Sequence, residues 1–405
     1  MVENGAVSRR RMLTLAGAGA TAAFTSAHAA GVNFPFPGGE GERTITTAFP
    51  QKGPMILQRT RPPLLETPFD VFDQGVFTPN NRFFVRWHWA VIPTSVDTAT
   101  YRLNVHGAVK TPLSLSLKEL MSMPQTEIVA VNQCSGNSRG FFQPRVPGGE
   151  WGNGAMGNAR WTGVRLKDVL DRAGVAADAK VVRFMGSDKA VVPNGPRLMK
   201  SLAVDHARDG EVMIAWAMNG EPLPLLNGFP IRVVVPGWYA TYWVKALIDI
   251  EVLSGADENF WMKTAYTIPD TPGANMRPGQ TGVKMVPINH MVPRSFVTNL
   301  RDGEKVKAGA PLAVRGIAFG GDSGVAKVEV STDGGKTWSA TKLGADEGTY
   351  SFRRWDLSLP APSAGPLTIA VRCTNTKGLV QPPVPNWNPA GFMRNVIETT
   401  KVTAS

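Results

Sequence analysis

Cysteine is scarce in this chain: its 405 residues carry two, Cys134 and Cys373. That excludes a disulfide-stapled scaffold and a zinc site built from cysteine pairs. Neither cysteine belongs to a C-x-x-C-H run, so no haem attachment is predicted on this chain. Histidine is nearly as rare, with five scattered copies, which argues against a histidine-rich metal centre. There is no G-x-x-x-x-G-K-[ST] and no H-E-x-x-H. No stretch is long and apolar enough to cross a bilayer, so no membrane anchor is predicted. Acidic residues are outnumbered 32 to 43 by Lys and Arg, giving a net charge of +11. Such an excess favours anionic ligands through long-range steering. The basic residues are dispersed along the chain, which speaks against nucleic acid as a partner.

What is present is a globular composition, 43% hydrophobic, with a length that suggests two or three domains. The first 29 residues read as a leader rather than as fold. Ser8-Arg9-Arg10-Arg11 precedes a short apolar stretch, Met12 to Phe24, and Ala27-His28-Ala29 makes a small-x-small cleavage pattern. The arginine pair predicts a twin-arginine signal, hence export of the folded protein to the periplasm.

Residues 30–80 are rich in Pro and Gly and predict an extended N-terminal arm. Arg82 to Ile92 reads as the first strand, with Phe83, Val85, Trp87, Trp89 and Val91 on one face and Phe84, Arg86 and His88 on the other. Between 81 and 285 strands mix with short helices, an α+β pattern. Thr126 to Gln133, Ile231 to Gly237 and Trp243 to Leu253 predict strands; Arg165 to Gly174 predicts a helix stopped by its glycine. Over 286–405 the pattern turns to strands alone, with a hairpin signal at Asp333-Gly334-Gly335. An immunoglobulin-like sandwich follows. There Leu367, Ile369, Val371 and Cys373 alternate onto one face, which makes Cys373 a core residue and a bridge to Cys134 unfavoured.

Cys134 is different. It follows a strand and sits among Asn132, Gln133, Ser135, Gly136 and Asn137, in a loop that reads as accessible. It suits a thiolate nucleophile, a ligand to a soft metal or an inert thiol, and composition does not choose among them. The literal G-x-G-x-x-G of Gly152 to Gly157 follows a loop and starts no helix, so it is no dinucleotide site.

The wider pattern around Cys134 decides. "CSGNSRG" followed by "GGEWGNGAMGNARWTGVRLKDVL" resembles the molybdenum-binding core of the sulfite oxidase family. "FFVRWH", "GFPIRVVVPG" with "WVK", "FWMKTAY" and "KVEVSTDGGKTW" extend the likeness over most of the chain. With the leader, it is similar to the bacterial periplasmic sulfite dehydrogenases that lack a haem domain. The resemblance implies an α+β molybdopterin-binding domain followed by an all-β immunoglobulin-like dimerisation domain, and a homodimer. It implies Cys134 as the molybdenum ligand, and cofactor contacts from Phe84, Arg86, His88, Asp188, Asn227, Arg232, Lys245 and the backbone of Trp243 and Val244. Arg86 and Arg139 match substrate arginines, Tyr266 the active-site tyrosine and Trp151 a pocket tryptophan. The implied reaction is oxidation of sulfite to sulfate by oxygen-atom transfer, with electrons passing to a separate c-type cytochrome. The same resemblance admits an enzyme that oxidises another sulfur compound or reduces a sulfoxide. Three positions depart from the family pattern. Ser138 stands where relatives often have a second arginine, Ala390 replaces the arginine of W-N-x-R-G, and Asn227 replaces a histidine of the animal enzymes. Fewer fixed charges are therefore expected around the anion, with Arg394 the candidate substitute for the missing one.

Overall fold

The computed structural model describes residues 31–405. The segment read as a twin-arginine leader lies outside them.

The segment read as an extended arm is a folded part of the catalytic half. Gly31–Asn33, Glu42–Thr46, Met55–Arg59, Leu64–Glu66 and Val85–Arg86 form a five-stranded sheet in chain order, with each neighbouring pair antiparallel. Most of the Pro and Gly residues that suggested an arm lie in the connections between its strands. The strands between carry Met55, Ile56, Leu64 and Leu65, all buried.

The stretch Arg82 to Ile92 is also corrected. Only Val85–Arg86 pairs as a strand. Phe83 and Phe84 are both buried, so alternation fails. Phe83 and Phe84 join the main core of the catalytic half, Val85 and Trp87 join a second apolar cluster, and Val91 is exposed. Trp87 Nε1 donates to the Leu226 carbonyl (3.0 Å), and the Arg86 carbonyl accepts from Lys245 Nζ (2.6 Å).

Two further sheets build the catalytic half. In one, Met199–Ala203, Val181–Gly186, Leu247–Leu253, Leu103–Gly107 and Leu113–Leu115 lie in that order, with Leu247–Leu253 parallel to Leu103–Gly107. In the other, Glu221–Pro222, Met213–Met218, Met156–Arg165 and Gln125–Gln133 lie side by side, and Arg232–Val234 also pairs with Met213–Met218. The helix Leu166–Ala173 buries Leu166, Val169, Leu170 and Ala173 and ends at Gly174, which takes the left-handed conformation such a stop requires. The strand expected from Trp243 starts later, at Leu247. Trp243 to Ala246 form a turn that delivers Lys245 to the centre.

The C-terminal half is a two-sheet sandwich. Arg294–Val297, Leu312–Phe319, Arg353–Leu359 and Lys342–Leu343 form one sheet; Lys305–Val306, Glu398–Ala404, Gly365–Asn375, Val325–Ser331 and Ser339–Ala340 form the other. Val314, Trp355, Val328, Ile369, Val371, Cys373 and Val402 fill its core. Cys373 is fully buried, and burial pushes its thiol up to about 12, so it is inert. Both cysteines are free thiols. The two halves share apolar packing: Phe296, Phe319, Phe352 and Phe392 belong to the core cluster of the catalytic half. Arg315 adds a bidentate ion pair to Asp73, with Nε to Oδ1 at 2.9 Å and Nη2 to Oδ2 at 2.6 Å. Among the described residues no helix is long and apolar enough to cross a membrane.

Candidate functional site

Two adjoining cavities occupy the catalytic half. The inner one is lined by Phe84, Arg86, His88, Asn132, Cys134, Ser135, Asn227, Arg232, Thr241, Lys245 and Tyr266, among others. The outer one, of about 370 Å³, includes Arg59, Arg139, Trp151, Trp261, Ala390 and Phe392. Arg86, His88 and Tyr266 line both and form the joint between them.

Cys134 sits directly after the strand Gln125–Gln133, at the floor of the inner cavity. It is 7% exposed, so the thiol expected to be accessible is enclosed. Its loop is held by a second loop. Cys134 N donates to the Ala155 carbonyl (2.9 Å), Ser138 N to Gly152 O (2.7 Å) and Gly140 N to Trp151 O (3.0 Å). Asn137 Oδ1 accepts from Ala155 N at 2.9 Å. The glycine-rich segment that mimicked a dinucleotide motif is thus the brace of the cysteine loop. Behind the brace, the buried Glu66 carboxylate accepts from Gly154 N (2.8 Å) and Gly152 N (3.0 Å). Burial raises Glu66 to about 7, against the opposing pull of those backbone donors.

The inner cavity is cationic. Arg232 is buried, and desolvation lowers it to about 9; Lys245 is lowered to about 7 for the same reason. Arg232 Nη1 donates to the Asn227 carbonyl (2.9 Å) and Nη2 to the Trp243 carbonyl (3.2 Å). Several buried polar atoms on this lining have no partner: Arg86 Nη1, His88 Nδ1, Asn132 Nδ2, Arg232 Nε and Thr241 Oγ1. Buried donors are rarely left unmet. This set fits a ligand that is anionic and rich in acceptors, with a soft ligand site at Cys134. A molybdopterin has that chemistry: phosphate for the guanidinium and ammonium groups, and a metal for the thiolate.

The other residues expected at the cofactor are placed as follows. Asp188 is buried outside the lining; burial raises it while Lys245, Arg197 and Arg86 oppose. Trp243 and Val244 do not line the cavity, and their backbone groups are engaged with protein. Trp243 N donates to Ala240 O, Val244 N to Tyr242 O, and Val244 O accepts from Val233 N. Asn227 lines the cavity, donates from Nδ2 to Phe84 O (3.1 Å) and accepts at Oδ1 from Lys52 Nζ (2.5 Å).

The outer cavity gathers Arg86, Arg139, Trp151 and Tyr266. Arg139 donates from Nε to the Ala390 carbonyl and from Nη1 to the Gly149 carbonyl, both at 3.3 Å. Its guanidinium lies 5.1 Å from the Phe392 ring centre, and Phe392 stacks on Tyr266 at 5.2 Å and 7°. Gly148 (φ +119°) and Gly391 (φ +62°) flank the side chain; a Cβ at either would come within 2.8 Å and 2.9 Å of it. Both positions need glycine for backbone and for space. Tyr266 is buried, and burial raises its phenol, so it stays protonated. His88 is held well below the usual imidazole range by burial and by Arg86, Lys245 and Lys200.

Arg394 does not fill the place of Ala390. It turns away from the outer cavity, 3.2 Å from Glu398 and 5.2 Å from the Phe141 ring. Ser138 is fully buried and also points elsewhere: it donates to Asn153 Oδ1 (2.6 Å) and accepts from Arg294 Nη1 (3.0 Å). The outer cavity therefore keeps Arg59, Arg86 and Arg139 as its cations.

Sequence reasoning missed Lys52, Lys200 and Arg59. Lys52 and Lys200 are buried and lowered to about 7. Lys52 lies in the segment dismissed as an arm. Lys200 Nζ donates to the Trp261 carbonyl (3.0 Å) and sits 4.4 Å from the Tyr242 ring and 5.5 Å from the Tyr266 ring. Neither lysine is marked by its sequence neighbours.

Residues 89–261 match the family described as oxidoreductase molybdopterin binding domain, and residues 285–404 that described as Mo-co oxidoreductase dimerisation domain. The mitochondrial sulfite oxidase of Homo sapiens is 36% identical over 361 residues, covering 85% of this chain and 65% of that protein. The sulfite oxidase of Gallus gallus is 33% identical, covering 85% of this chain and 77% of that protein. That of Arabidopsis thaliana is 30% identical, covering 75% and 79%. Among solved structures, the sulfane dehydrogenase SoxCD of Paracoccus pantotrophus shares the fold, with a TM-score of 0.72 at 24% identity over 88% of this chain and 87% of that one. The chain spans just under two thirds of the length of the mammalian sulfite oxidases it matches. Fold and site define a molybdopterin-binding oxidoreductase. The chain belongs to the sulfite oxidase family.

Proposed function

We propose that the protein is a sulfite dehydrogenase of the periplasm, exported by the twin-arginine route. It oxidises sulfite to sulfate and passes electrons to a separate c-type cytochrome. It works as a homodimer through its C-terminal domain. The observation that carries the reading is the joint between the cavities: Cys134 and unpartnered cationic donors on the inner side meet Arg86, Arg139 and Tyr266 on the outer side.

Cys134 would hold the molybdenum, with Arg232, Lys245, His88 and Asn132 around the pterin and its phosphate. When bound, the group supplies oxygen-atom transfer to sulfur and takes up two electrons. The chain's own residues supply the rest. Arg139 and Arg86 draw the anion to the joint and offset its charge. Phe392 keeps the Arg139 guanidinium and the Tyr266 ring apart at a fixed spacing. His88, neutral, pairs with the Tyr266 hydroxyl and fixes it at the rim of both cavities. Among the described residues no carboxylate lines the outer cavity, which favours an anion there.

Sulfite-dependent reduction of cytochrome c or ferricyanide tests the reading. Cys134→Ser should abolish turnover and leave the fold intact; full turnover in that variant would remove the thiolate from the account.

A further inference from the structure

We infer that the outer cavity takes organic sulfinates, R–SO₂⁻ with a small apolar R, as well as sulfite. This rests on the sulfite dehydrogenase reading and extends it to a substrate class.

The cavity holds about 370 Å³, within the range of sites that enclose small organic molecules. A four-atom oxyanion fills a small part of it, since a water's share of liquid volume is only ~30 Å³. Its cations are unevenly placed. Arg86 lines the joint with the inner cavity, Arg139 lines the outer cavity within electrostatic reach of Arg86, Tyr266 and Cys134, and Arg59 is exposed. Away from the polar groups of His88 and Tyr266 at the joint, the wall carries apolar side chains: Leu64, Trp87, Trp151, Trp261, Ala390 and Phe392. Position 390 offers the cavity a methyl group, its carbonyl being taken by Arg139. Arg394, the only other cation proposed for that side, is turned to Glu398. An anion bound by Arg86 and Arg139 therefore faces aromatic and aliphatic surface on its far side. Surface of that kind is satisfied by an apolar substituent, which an inorganic anion does not offer.

A sulfinate keeps what the reaction needs, a sulfur lone pair beside two anionic oxygens. The balance is R–SO₂⁻ + H₂O → R–SO₃⁻ + 2 H⁺ + 2 e⁻. One S–O bond forms with oxygen from water, the S–C bond stays intact, sulfur loses two electrons, and two equivalents of a one-electron acceptor such as ferricyanide take them.

The test uses the holoenzyme and two readouts. Calorimetric binding of benzenesulfonate, which offers no sulfur lone pair, is compared with that of sulfate. Ferricyanide reduction is followed with methanesulfinate, benzenesulfinate and sulfite, in wild type and Ala390→Arg. Benzenesulfonate should bind at least about tenfold more tightly than sulfate. Sulfinate oxidation should be measurable, and Ala390→Arg should lower the sulfinate-to-sulfite ratio of kcat/KM by at least about tenfold. If sulfite is oxidised but benzenesulfonate binds no better than sulfate, or no sulfinate is oxidised, this inference is overturned and the sulfite reading stands. If molybdenum-loaded protein oxidises neither, the sulfite reading itself falls. Should Ala390→Arg fail to fold, the wild-type binding comparison still decides.

Discussion

His88 Nε2 lies 2.6 Å from the Tyr266 hydroxyl, at the joint of the two cavities. The two residues are 178 positions apart, and each is held by its own aromatic contact: His88 against Trp261 at 5.2 Å, Tyr266 on Phe392 at 5.2 Å. With the imidazole neutral, placing its proton on Nε2 lets His88 donate to the Tyr266 oxygen and leaves the phenol O–H free. The pair then presents one oriented phenol donor to whatever occupies the joint.

Tyr266→Phe should keep the stacked ring and lose the hydroxyl. A hydrogen bond to a charged group contributes about 1.5–3 kcal/mol, so kcat/KM for sulfite should fall about 10- to 100-fold. Thermal stability should change little. Steady-state kinetics beside a melting curve separate the two effects.

Arg139→Ala should act mainly on capture of the anion, raising KM for sulfite by about tenfold or more while kcat falls less. Gly148→Ala should move in the same direction, because its Cβ would press on the Arg139 guanidinium at a backbone φ of +119°. An unchanged KM in both variants would take Arg139 out of the anion site.

Arg394→Ala should leave KM for sulfite unchanged. Its guanidinium is spent on Glu398 and Phe141, outside the outer cavity. The cost should appear in stability, at about 1–3 kcal/mol. A raised KM would show that this arginine reaches the anion after all.

Stability of the cofactor-free protein should pass through a minimum near pH 7. Glu66 folds with its carboxyl at about 7, above its ordinary 4.5, so its contribution is full below 4.5 and is lost as pH climbs to 7. Lys52, Lys200 and Lys245 fold at about 7, below their ordinary 10.5, so the folded state binds fewer protons and gains stability as pH rises from 7 to 10.5. Melting temperatures between about pH 5 and 10 read both limbs. Glu66→Gln should flatten the acid limb, and loading with cofactor should flatten the alkaline one, because a phosphate beside Lys245 raises its pKa.

The α+β domain followed by an all-β domain was legible in the sequence, while the strands within the first half were not. Cys134, Arg139, Arg232 and Lys245 sit in short motifs singled out by their resemblance to a family, and the structure brings all four to the two cavities. The sheet within 30–80 was not legible because Pro and Gly mark the turns between strands as readily as an extended arm, and its strands are too short to show a period. Lys52 and Lys200 were invisible because their burial is set by distant segments: Lys52 by Asn227, and Lys200 by Trp261 and Tyr242. Position 390 was expected beside the anion from the W-N-x-R-G pattern, and Ala390 does line the outer cavity; Phe392 beside it carried no such signal.

The central claim is that Cys134 and its cationic cavity hold a molybdenum centre that sulfite reduces. Metal analysis of protein made in a cofactor-competent host, followed by anaerobic sulfite titration of its absorbance spectrum, tests this most directly. The account predicts molybdenum in about equal amount to the chain, absent from Cys134→Ser, and a spectral change complete near one sulfite per metal. Protein without molybdenum, or a loaded centre whose spectrum sulfite does not alter, would contradict it.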